Sequence, residues 1–255
     1  MNRNLLFTLL FSFVLINLNA ADIYVNSSGA AGTYNTLNGA HQAANDGDRI
    51  IISTLLTLIE DVTISKSVTI TSAASGSSFV LDGTLTIQGV AGKEIRVIGG
   101  EIDQILFISD SSSNNYNNPC EFFLVDSEVG SDINCNISNI RLNVMYCDMP
   151  SRGVTFFRGK LIGSNVRYFD FKNNSSNTNT YLGDTAFIIG NKIVYQCYVR
   201  ASESNYFISN NFFEWNSSSN PNIWVESNSL SNTGSNYIIN NTIKNSSTSN
   251  SSYRA

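Results

Sequence analysis

Histidine is nearly missing from this chain: among 255 residues only His41 is one. Charge is scarce too, with 14% of residues ionisable, 15 basic and 20 acidic. No basic cluster occurs anywhere, which argues against nucleic acid or an anionic membrane as partner. The four cysteines, Cys120, Cys135, Cys147 and Cys197, match no zinc-ligand spacing. Cys147 and Cys197 end apolar runs and read as small core residues, whereas Cys120 and Cys135 bracket a short segment and could form a disulfide. The longest apolar run, Leu5 to Leu18, falls short of the roughly 20 residues that a membrane-spanning helix needs.

That run follows Arg3 and precedes Ala20 and Ala21, the order of an export signal over residues 1–20. Removing it takes the net charge from −5 to −6 through the loss of Arg3. The expectation is a protein secreted or held at the cell surface, with no membrane insertion after cleavage and acting as a monomer. Residues 21–245 form one domain and 246–255 a Ser/Asn-rich tail. The tail shows no closing cap, so it reads either as a ragged final coil or as the end of a truncated product.

What the chain has in abundance is a repeat. FFLVD ends at Asp126, VMYCD at Asp148, and RYFDF contains Asp170, with successive aspartates 22 positions apart. Downstream, Asn191, Asn211, Asn228 and Asn241 follow similar apolar runs. A period near twenty residues built on runs of three to five β-formers predicts stacked strand units. The Asp or Asn after each run suits a corner, because these residues tolerate a left-handed backbone and hydrogen-bond their own turn. If Asp126, Asp148 and Asp170 stacked in register, carboxylates would lie about 4.8 Å apart and would invite Ca²⁺; the corner role is the simpler expectation, and no other cofactor is expected.

Residues 22–53 read as a cap and first coil. Thr36 precedes a short helix whose inward residues are expected to be Leu37, Ala40, Ala43 and Ala44, with His41 as a surface or capping residue. The string Gly32-Thr33-Tyr34-Asn35-Thr36-Leu37, then Gly47-Asp48, Ile50 and Ile52, resembles the N-terminal cap of right-handed parallel β-helix proteins of the pectate-lyase-like group. Val62-Thr63-Ile64-Ser65-Lys66-Ser67-Val68-Thr69-Ile70 matches the strand–corner–strand that follows it there. The resemblance implies an all-β solenoid of about eight to nine coils, closed at its N-terminal end by the helix.

The resemblance also implies where catalysts would stand, and the expected signatures are missing. The polygalacturonase motifs Asn-Thr-Asp, Gly-His-Gly and Arg-Ile-Lys do not occur, nor does a pectate-lyase arginine beside spaced prolines. Ala186-Phe187-Ile188-Ile189-Gly190-Asn191 is similar to a pectin methylesterase rung, yet Ala186 stands where that family has its nucleophilic aspartate; Asp184 is two residues earlier. Trp215 and Trp224, with Tyr198 and Arg200 one coil earlier, are candidate platforms for sugar rings, although core stacking is the simpler explanation for them. Three readings follow: a non-catalytic carbohydrate-binding or structural module, a polysaccharide lyase or hydrolase with an unfamiliar site, and the solenoid part of a larger adhesin. An outward cleft of carboxylates with a basic residue on adjacent coils would favour the second.

Overall fold

A computed structural model describes residues 20–26, 32–53, 56–110, 118–173, 185–201, 205–215, 223–226 and 237–245. The bulk of the expected export segment, the tail 246–255, Asp184 and Asn228 lie outside them. Every strand pairing is parallel, in sheets of 11, 5 and 7 strands whose neighbours come from successive coils. This is a parallel β-helix solenoid with one short helix among the described residues.

Alternation explains the stack. In Cys120–Val125 the residues Cys120, Phe122 and Leu124 point inward and their neighbours outward. In register, inward residues make unbroken columns. One runs Ile50, Ile70, Val97, Leu124, Val144, Leu161, Ile188, Ile208, each with no exposed surface. Each such side chain contributes about 1.5–3 kcal/mol of burial, so the core is a row of equal contributions along the axis. All four cysteines belong to this interior as free thiols, Cys120 and Cys135 included, so the pair expected as a possible bridge is not one here. Burial pushes the Cys120, Cys135 and Cys197 thiols up to about 12 and that of Cys147 to about 11.

The cap helix spans Leu37–Ala43, and Thr36 Oγ1 accepts from Gly39 N–H at 3.0 Å. Glu60, from the next coil, accepts from Leu37 and Asn38 N–H, at 2.6 and 3.1 Å. Lys66 Nζ donates to the carbonyls of His41, Gln42 and Ala44, closing the other end. Leu37, Ala40 and Ala44 face the core as expected, but Ala43 is exposed and His41 is buried at 2%. The reason is rotation: position i+4 from Leu37 stays on its stripe, whereas i+6 turns away. His41 Nε2 accepts from Ser65 N–H at 3.3 Å.

The corners divide into two roles that the sequence had merged. Asp126, Tyr146, Asn210 and Asn240 have positive φ (48°, 58°, 56° and 54°), as do Gly99, Gly163 and Gly190. Their N–H groups chain the coils together: Gly99 to Val125 O, Asp126 to Met145 O, Tyr146 to Ile162 O, Gly163 to Ile189 O, Gly190 to Ser209 O. The residue after each corner turns inward and supports the coil before it. Ser164 N–H donates to Asn191 Oδ1, Asn191 N–H to Asn211 Oδ1 and Asn211 N–H to Asn241 Oδ1, at 2.9–3.0 Å. Their amide NH₂ groups reach the carbonyls of Leu161, Ile188 and Ile208.

The stacked column Asp126–Asp148–Asp170 therefore does not exist. Asp126 is a corner, Asp148 stands beside Asn165, and Asp170 lies within a strand between Thr155 and Tyr198. Equal spacing misled because coils differ in length, so the 22-residue step falls at a different point of each turn.

Two outcomes are expected. Asn211→Ala strands the Asn191 N–H and the Ile188 carbonyl, which costs about 2–4 kcal/mol and lowers the melting temperature by about 5–15 °C, read by circular dichroism. His41, with its pKa lowered by burial and then by Lys66, stays neutral in the fold while the unfolded chain protonates. Stability is then level above pH 6.5 and falls as pH drops from 6.5 toward the folded value; His41→Gln flattens that segment of a stability–pH curve.

Candidate binding groove

The position two residues beyond each corner points outward, and the register carries it from coil to coil. After Gly99, Asp126 and Tyr146 it is occupied by Glu101, Glu128 and Asp148. Glu101 and Glu128 are direct pairing partners, and Asp148 holds the same place one coil on. The column then changes character, to Asn165 and Lys192, with Asn165 Nδ2 donating to Asp148 Oδ1 at 2.7 Å. A real acidic column exists, and it shares only Asp148 with the one the period suggested.

Two residues further along the strands come Asp82 and Asp103. Gly130 holds that place in the next coil, where a Cβ would lie 2.9 Å from the Asp103 carbonyl oxygen. The missing side chain leaves a concavity of about 470 Å³ lined by Asp82, Glu101, Asp103, Glu128, Asp148 and Arg152. All five carboxylates are exposed. Its floor is the outer edge of the core at Leu81, Ile102, Val129 and Met149, which are 1–5% exposed.

One wall is a bulge. Strand Asp148–Phe156 places three residues between Met149 and Gly153 where its partner, Asn165–Asn173, places one between Val166 and Tyr168. Pro150, Ser151 and Arg152 are thrown outward; proline, with no N–H to donate, is at home in such a place. Asp132 accepts from Gly153 N–H at 2.8 Å and from the Tyr168 hydroxyl at 2.7 Å. Burial, then the Asp132 carboxylate, push the Tyr168 phenol up to about 12.

The other residues singled out from sequence lie elsewhere. Tyr198 pairs with Trp224 and Arg200 with Glu226 on the seven-stranded sheet, and Trp215 pairs with Asn245 on a neighbouring strand. Tyr198 is half-buried and takes a hydrogen bond from Gln196 Nε2. The side chains of Trp215, Trp224 and Arg200 lie outside the described residues. Tyr198 does not line the groove. Ala186 is buried at 1%, within the core column next to Ile188. Among the described residues no three His, Cys, Asp or Glu side chains are placed to hold a metal ion together.

No protein-family model matches this chain, and no curated protein matches it. A solved structure that does match is a variant of the PL6 family alginate lyase AlyGC, at 15% identity and a TM-score of 0.43, covering 89% of this chain and 40% of that one. This chain thus spans well under half of that protein's length. The three stacked parallel sheets define the architecture. The fold is a parallel β-helix.

The groove went unread because its acids are scattered in sequence. A usable signal was present: a left-handed residue, a small inward residue, then an acid, as in Gly99-Gly100-Glu101, Asp126-Ser127-Glu128 and Tyr146-Cys147-Asp148.

Proposed function

We propose that this protein binds a polysaccharide along the acidic groove, outside the cell, and that the polymer is neutral or amine-bearing rather than a polyuronate. The observation that carries this reading is the charge of the concavity, five carboxylates against one guanidinium. Ionised carboxylates accept strong hydrogen bonds from sugar hydroxyls and from ammonium groups. A uronate chain would bring like charges within about 4 Å, at roughly 1 kcal/mol of repulsion per pair in water and more where water is excluded. A groove open along the solenoid also suits an extended polymer better than a small molecule.

A second reading, glycoside hydrolysis, is favoured by the Glu101–Glu128 pairing. Neighbouring coils set their backbones about 5 Å apart, so the two carboxyl groups can reach the separation used when one acid attacks and the other protonates the leaving group. A lyase acting on uronates is the least compatible with this charge.

Calorimetric titration with chitosan hexamer, neutral chitin hexamer and oligogalacturonate separates these cases. The first or second binds and the third does not. Glu128→Gln with Asp148→Asn weakens binding by about 10- to 100-fold, as expected for two charge-assisted hydrogen bonds. Tighter binding of oligogalacturonate overturns the proposal; new reducing ends in the incubated hexamers select the hydrolase reading.

A further inference from the structure

Arg152 is the one basic residue lining the groove among the described residues, and it stands on a bulge rather than on a regular strand. A bulge two residues longer than its partner would wander unless something held it. Three residues from three successive coils do so. Asp132 spends one oxygen on Gly153 N–H, at the foot of the bulge, and the other on the Tyr168 hydroxyl. Tyr168 in turn lies flat on Gly153: a Cβ there would come within 2.0 Å of its ring. The backbone, the carboxylate and the ring thus close on one another immediately beside Arg152.

We infer that Asp132 and Tyr168 are positioning residues, a clasp that fixes the bulge at 150–152 so that Arg152 presents its guanidinium at a set point of the groove rim and sets the direction in which a polymer lies. The ligand part of this inference rests on the proposed function; the clasp itself does not. A guanidinium offers a rigid fork of donors matched to paired oxygens, and that specificity is lost if its backbone moves by about an ångström. A single cation at one end of an acidic trough also makes the two ends unequal, which a chain with distinct ends can read. The Tyr168 phenol, raised by its surroundings, keeps its proton throughout the physiological range and so keeps donating.

Two readouts on the full-length protein test this. The first needs no ligand: trypsin cutting at Arg152–Gly153, followed by mass spectrometry. Wild type and Asp132→Asn, whose amide still accepts from Gly153 and pairs with the phenol, are cut slowly; Tyr168→Phe and Asp132→Ala are cut about tenfold faster, the opening that loss of one or two local hydrogen bonds allows. The second is a double-mutant cycle, using whichever of the two hexamers binds wild type. Tyr168→Phe shifts affinity in the same direction as Arg152→Gln, and the double variant matches Arg152→Gln alone. Additive shifts, or Tyr168→Phe cut at the wild-type rate, overturn the inference. If neither hexamer binds wild type, the proposed function fails and the cleavage rates alone decide the clasp; a Tyr168→Phe protein that does not fold leaves Asp132→Ala against Asp132→Asn as the deciding comparison.

Discussion

The structure depends on a two-residue device repeated from coil to coil between Gly99 and Asn240. A left-handed corner donates its N–H to the next coil, and the residue after it turns inward and ties its own coil to the one before. The first step fixes where the strand ends; the second fixes how successive strands align. Parallel strands carry little information about register in their evenly spaced backbone hydrogen bonds, and a slip of one residue would turn every core side chain outward. The Asn191–Asn211–Asn241 series makes that slip costly, because each amide is satisfied only when its neighbour stands directly beside it.

The same register organises the outer surface. Side chains two places beyond the corner must stack, whatever their chemistry, since the core column one place earlier and later leaves no freedom. In the middle coils that position carries Glu101, Glu128 and Asp148, and the solenoid holds them together against their mutual repulsion. Solvent exposure makes this tolerable, as do the hydrogen bond from Asn165 and the change to Lys192 further along. The groove is thus a by-product of how coils align, shaped locally by Gly130 and by the bulge at Pro150–Arg152.

Much of the fold was legible from the sequence. The cap string, the Thr36 N-cap and the β-branched runs all correspond to observed elements, because each is a local signal backed by one dominant force. His41 and Ala43 were exchanged because a seven-residue helix offers little periodicity to read. The aspartate column failed for a deeper reason. A count of residues between aspartates measures contour length, whereas stacking depends on the angular position within a turn, and coils differ in how much chain they send into loops. The doublets Asn210-Asn211 and Asn240-Asn241 carried the answer, one residue for the left-handed corner and the next for the ladder. The acids of the groove were visible only once that alignment was known. For Trp215, Trp224 and Arg200 the register is known and the side-chain environment is not part of the described structure.

Cross-linking tests the shared register most directly. The native thiols are buried and held protonated, so they do not compete with engineered pairs. Glu128→Cys with Asp148→Cys places two outward thiols on neighbouring coils, with Cα atoms about 5 Å apart, within disulfide reach. Asp126→Cys with Asp148→Cys offsets them by two residues along the strand, beyond about 7 Å. Mild oxidation closes the first pair to a disulfide and leaves the second as free thiols; the reverse pattern would contradict the corner register and, with it, the acidic groove.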